Sequence, residues 1–152
     1  MLRDDINNAV KEAMKAKEER KLSTLRMVNS TIKNADIDAR GQGKPPLSDA
    51  DLLGVFQKMI KQRQESADLY DKGARPELAA AERGEIEIIT AYLPKQMSDA
   101  EAGSAISSLL QEINAETMKD MGRAMAALKE RFAGKMDFSK ASGKIKELLS
   151  KK

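Results

Sequence analysis

The stretch that decides the fold is Tyr92-Leu93-Pro94-Lys95-Gln96-Met97-Ser98-Asp99-Ala100-Glu101. A helical pattern runs into it and is expected to reach Leu93. Pro94 stops that helix, because the residue before a proline avoids the helical region. Ser98 followed by Glu101 is the spacing of a capping box, in which side chain and backbone satisfy each other's first-turn groups. One helix therefore ends and another begins within ten residues. The junction divides the chain into residues 1–93 and 94–152.

On the N-terminal side, apolar residues recur at steps of three and four. Leu2, Ile6, Ala9, Val10, Ala13 and Met14 form a first stripe, with a break expected around Lys17–Lys21. Leu22, Leu25, Val28, Ile32 and Ala35 form a second, ended by the breaker run Gly41-Gln42-Gly43-Lys44-Pro45-Pro46. Ser48 reads as an N-cap, with Asp49 and Asp51 where the helix dipole favours acids. The helix it opens carries Leu52, Phe56, Met59, Ile60, Ala67 and Tyr70. Pro76 suits the first turn of a fourth helix, which carries Leu78, Ala81, Ile86 and Ile89.

Beyond the junction, three more helices are expected. The first buries Ala102, Ala105, Ile106, Leu109 and Ile113. Thr117 caps the second, which buries Met118, Met121, Met125, Leu128 and Phe132 and stops at Gly134. Asp137 caps the third, with Phe138, Ala141, Ile145, Leu148 and Leu149 on its stripe. No segment alternates with period two. The fold class is all-α: an N-terminal domain of about four helices and a three-helix C-terminal tail.

Composition narrows the chemistry. The 152 residues include no Cys and no His. Disulfides and thiolate metal sites are excluded, and the commonest general base and metal ligand are missing. No metal or other cofactor is expected, and an enzyme is disfavoured. The N-terminus is charged from Arg3 onward and no apolar run approaches the ~20 residues of a spanning helix. The expectation is a cytoplasmic protein with no membrane partner.

Charge is uneven. Residues 1–93 carry 16 basic and 16 acidic side chains, whereas residues 117–152 carry 10 against 4. A basic C-terminal third points to an acidic partner, nucleic acid being the usual one. Lys119 and Arg123, beside the amides after Thr117, form one candidate phosphate site. Lys129, Lys135, Lys140 and Lys144, with Arg131 and Lys146, form a second, in which Lys140 and Lys144 share a helix face. With no exposed aromatic among them, backbone recognition is favoured over base stacking. The plainer readings are close helix packing at Gly122 and a solvated basic surface. In the N-terminal part, Arg63 or Arg75 is expected to pair with Glu82 or Glu85 across two helices, a structural role. Tyr92 and Pro94 are read as structural residues of the junction.

Several segments together resemble one family. They are Ser23-Thr24-Leu25-Arg26, Gln57-Lys58-Met59-Ile60-Lys61-Gln62-Arg63-Gln64-Glu65-Ser66, Gly73-Ala74-Arg75-Pro76-Glu77-Leu78, and Glu82 with Glu85-Ile86-Glu87. Ala91-Tyr92-Leu93-Pro94-Lys95-Gln96-Met97-Ser98, Lys119-Asp120-Met121-Gly122-Arg123-Ala124-Met125 and Gly134-Lys135-Met136-Asp137 complete them. This pattern is similar to the YqeY-like proteins over essentially the whole chain. The resemblance implies a small bacterial protein whose C-terminal part is similar to a tail domain of the tRNA-dependent amidotransferase. That tail contacts tRNA and is not catalytic. The expected partners are therefore tRNA, or a protein of the tRNA-charging or amidation machinery. Many members have Gly-Arg-Ala-Asp-Gly where this chain has Gly134-Lys135-Met136-Asp137-Phe138, and Lys is a poorer bidentate phosphate ligand than Arg. Two rival functions stand beside the RNA-binding one: an adaptor docking on a larger enzyme, and an amidotransferase-related enzyme using glutamine as amide donor.

Overall fold

The computed structural model describes residues 1–150, and it is all-α. Seven α-helices and a single 3-10 turn make up the regular structure, with no strand among the described residues. Two compact units divide at Leu93 and Pro94.

The N-terminal unit contains α1 (Leu2–Ala16), α2 (Glu19–Gly41), α3 (Asp49–Lys72) and α4 (Pro76–Thr90). Lys17 ends α1 in the left-handed conformation, so the break is sharper than the sequence pattern indicates and α2 begins three residues before Leu22. Ser48 caps α3 with a full capping box, its hydroxyl accepting from Asp51 N–H at 3.2 Å. The core is Ile6, Leu25, Val28, Ile32, Leu52, Phe56, Met59 and Ile89, with Tyr92 and Leu93 packed against it. α4 stops at Thr90, short of Leu93, and two turn hydrogen bonds carry the chain on: Tyr92 N–H to Ile89 O and Leu93 N–H to Thr90 O, both 3.0 Å. Leu78 is 40% exposed and Ala79 is the residue buried in its place. So close to a helix start, the stripe has no preceding turn to set its phase.

Ion pairs bind elements of this unit, among them Arg83 on α4 with Asp71 on α3. Arg3 donates to both oxygens of Asp36, at 2.6 and 2.9 Å, and to Leu47 O at 2.8 Å. Asp36 also accepts from Leu47 N–H at 3.0 Å. One carboxylate thus ties α1, α2 and the segment before α3, and the Arg3 and Leu47 bonds hold it below the usual Asp range. Arg63 on α3 donates to Glu85 on α4 at 2.8 Å and to Met59 O at 3.1 Å.

The C-terminal unit contains α5 (Asp99–Glu112), the 3-10 turn Met118–Asp120, α6 (Met121–Arg131) and α7 (Phe138–Ser150). Ser98 and Glu101 close a capping box at α5. Thr117 and Asp120 close another, but on the 3-10 turn, so α6 starts only at Met121. That offset leaves Met118 43% exposed rather than buried. Ile106, Leu109, Leu110, Ala124, Leu128, Met136, Ala141, Ile145 and Leu149 form the core.

Candidate nucleic-acid interface

In the C-terminal unit the segment entering α5 is tied to the turn before α7. Met97 N–H donates to Lys135 O at 2.9 Å, and Gln96 Nε2 donates to Gly134 O at 2.5 Å. Gly134 makes this turn possible with φ 74°, a conformation that costs most residues but not glycine. Asp137 then caps α7, accepting from Ser139 N–H at 2.8 Å and Lys140 N–H at 3.4 Å. The ties place the N-terminal ends of α5 and α7 together.

Between them lies an open groove of about 1010 Å³. Its floor includes Met97, Ile106, Met136 and Ala141. Along α5 it is lined by Gly103, Ser104, Ser107, Ser108 and Gln111, and from the α7 side by Lys135, Lys140 and Lys144. All three lysines are exposed, and none of their ammonium groups has a hydrogen bond or ion pair among the described residues. Asp99 and Asp137 sit at the end where both helices begin. No aromatic side chain lines the groove; Phe132 and Phe138 pack on the core.

The structure brings three of the six candidate cations to this groove. Lys119, Arg123 and Lys129 do not line it. Lys119 and Lys129 are exposed, on the 3-10 turn and on α6. Arg123 donates to Ile113 O at 2.6 Å and to Asp120 at 3.1 Å. Asp120 also accepts from Glu116 N–H at 2.9 Å and Thr117 N–H at 3.3 Å, and these bonds depress its pKa ahead of the Arg123 contact. The place an anion would take at this turn is therefore filled by the chain's own carboxylate. Gly122 has open space around it, where a packing contact would leave no room for a Cβ.

Of the structural candidates, Arg63 and Glu85 form the pair described above. Arg75 reaches only Glu77, at 4.0 Å, and Glu82 makes no ion pair among the described residues. Burial, followed by the nearby acids Asp5 and Glu12, raises the Tyr92 hydroxyl above its ordinary range. Pro94 O accepts from Gln96 Nε2 at 2.9 Å. The serines on α5 are functional candidates that the sequence reading does not single out. Their spacing of three and four residues on a capped helix is the only signal available there, and it is also the signal of an ordinary solvated face.

The family model for Yqey-like protein matches residues 3–149. Altered inheritance of mitochondria protein 41, mitochondrial, from Lachancea thermotolerans is 36% identical over 111 residues, covering 72% of this chain and 58% of that protein. Its counterpart from Vanderwaltozyma polyspora is 33% identical, covering 74% and 62%, and that from Clavispora lusitaniae is 37% identical, covering 70% and 61%. The chain thus spans about three-fifths of the length of these relatives. All three are named as mitochondrial proteins, and this overturns the cytoplasmic expectation. A charged N-terminus and a lack of cysteine do not by themselves specify a compartment. With the family model matching nearly its whole length, the chain belongs to the YqeY-like family.

Proposed function

We propose that this chain is a non-catalytic accessory protein whose C-terminal unit binds the backbone of tRNA or a related RNA, in support of tRNA-dependent amidation or tRNA metabolism. The observation that carries this reading is the groove between α5 and α7, where the ammonium groups of Lys135, Lys140 and Lys144 stand without partners among the described residues. Ammonium groups held in this way gain by replacing the counterions condensed on a phosphate chain. The resemblance of this unit to the amidotransferase tail supports the same assignment. Lys119 and Lys129 lie outside the groove and are not counted among its phosphate contacts, and Arg123 is held by Asp120 and Ile113 O.

A band shift with tRNA at two salt concentrations tests it. Three phosphate contacts predict an affinity loss of roughly 40-fold between 50 and 200 mM salt. Lys140→Glu with Lys144→Glu is expected to abolish the salt-sensitive part. Binding that ignores salt, or survives both reversals, removes the proposal.

One observation favours the adaptor reading as second. Leu69 is 67% exposed and Ile37 58% exposed, both on the N-terminal unit, and large apolar side chains so open to water are candidates for a partner surface. A stoichiometric protein partner that survives nuclease treatment would support it. The enzyme reading has less to rest on. Of the two carboxylates at the groove, Asp137 is engaged in capping α7.

A further inference from the structure

The two sides of the groove differ in chemistry. The α7 side is cationic, with Lys140 and Lys144 one helical turn apart, about 6 Å along the axis. The α5 wall is neutral and hydroxylic. Ser104, Ser107, Ser108 and Gln111 follow one another at the spacing of a single helix face. The three serines are exposed, and their hydroxyls have no hydrogen-bond partner among the described residues. A Cβ on Gly103 would meet nothing within 4 Å, so the wall is clear of obstruction beside them. The acids Asp99 and Asp137 lie at the helix starts. Two demands are thereby separated. Phosphates need the ammonium side, whereas a neutral group that both donates and accepts suits the serine wall.

A ribose 2′-hydroxyl is such a group, and it is the feature that distinguishes RNA from DNA. Deoxyribose offers only C–H there and leaves the serines to water. We propose that Ser104, Ser107 and Ser108 read ribose 2′-hydroxyls in this groove and make the C-terminal unit select RNA over DNA. This rests on the RNA-binding reading above and adds the residues that set its specificity.

The test uses the full chain and three hairpin probes of one sequence: RNA, DNA and 2′-O-methyl RNA. The wild-type chain is expected to bind RNA about 5- to 10-fold more tightly than DNA, the scale of one or two net hydrogen bonds. The 2′-O-methyl probe keeps the A-form shape but loses the donor, and it is expected to bind like DNA. In S104A/S107A/S108A the RNA affinity should fall to the DNA level. Its DNA affinity and salt slope should stay unchanged, because the phosphate contacts remain. Alanine is the better helix former, so the variant is expected to fold, with circular dichroism as the check. Equal binding of RNA and DNA by the wild type overturns the proposal alone. So does a preference that persists in the triple variant, which would assign it to duplex shape. Absence of salt-sensitive binding to any probe overturns the RNA-binding reading, and this inference with it.

Discussion

Both units engage arginines in ion pairs, and the C-terminal unit also gathers three lysines along one groove. In the N-terminal unit, arginines are bound into the architecture: Arg3 to Asp36 and Leu47, Arg63 to Glu85, and Arg83 to Asp71. The C-terminal unit engages its arginines too, Arg123 with Asp120 and Arg131 with Glu112. Its lysines at the groove, however, have no carboxylate partner among the described residues. Guanidinium forks hold fixed geometry, whereas flexible ammonium groups remain hydrated and exchangeable. The lesson is that net charge is a poor guide to a binding surface. Both units hold many cations, but only the unpartnered ones can exchange counterions for phosphate.

The comparison is tested most severely in the cores. Phe56 is fully buried in the N-terminal unit and Leu128 in the C-terminal unit. Phe56→Ala is expected to cost about 3–5 kcal/mol and Leu128→Ala about 2–5 kcal/mol in urea unfolding. Although its cost is similar or smaller, Leu128→Ala should damage its unit more, because three short helices bury less surface in total. Amide exchange would show this as near-complete loss of protection in residues 99–150 of that variant. Equal residual protection of both units in the two variants would contradict the expectation.

The next effect isolates an architectural arginine. The Arg63 side chain is only 11% exposed, and its removal leaves Glu85 half-buried without a counter-charge. Arg63→Ala is expected to cost about 1–3 kcal/mol. Lys144→Ala, by contrast, should change stability by less than about 0.5 kcal/mol, as for an exposed position without partners. Thermal melts of the two variants side by side would check this, and equal losses would erase the distinction between bound and unbound cations.

Acid tests the same distinction through Asp36. Its folded-state pKa is lowered, first by the Arg3 hydrogen bond and then by Leu47 N–H. A depressed carboxylate contributes stability that is present above its unfolded pKa, about 3.9, and is lost as pH falls through the folded value. Asp36→Asn is therefore expected to melt lower than the wild type at neutral pH. The gap should close below about pH 4. A gap that stays constant down to strongly acidic pH would show that Arg3–Asp36 does not act through its charge.

Much of this architecture is legible in the sequence because its signals are local. The Ser48 and Ser98 capping boxes, Pro76 and the apolar stripes each act within a few residues, and those elements lie where the sequence places them. The departures at Leu78 and Met118 fall at helix starts, where the stripe's phase is not yet set, and others fall where distant packing decides. Met118 follows Thr117 at cap spacing, but a 3-10 turn intervenes and turns it outward. Thr24 is buried and its hydroxyl has no partner among the described residues, a position that a stripe of Leu and Val does not reveal. Lys135, Lys140 and Lys144 are legible as cations. The serines opposite them are not, because only the packing of α5 beside α7 turns a polar helix face into one wall of a groove.

Gly103 gives a small effect and the most direct separation of fold from site. It lies inside α5 with open space where a Cβ would stand, and so does Gly143 inside α7. Replacing either with Ala reduces the freedom of the unfolded chain and should stabilise the protein by about 0.5–1 kcal/mol. Gly103 lines the groove and Gly143 does not. Larger side chains turn that difference into a readout. Gly103→Leu should leave the fold intact yet weaken RNA binding by filling space beside Ser104 and Ser107, whereas Gly143→Leu should spare it. Equal RNA affinity in both leucine variants would mean that RNA does not enter the groove, even if the lysines on its rim still attract it.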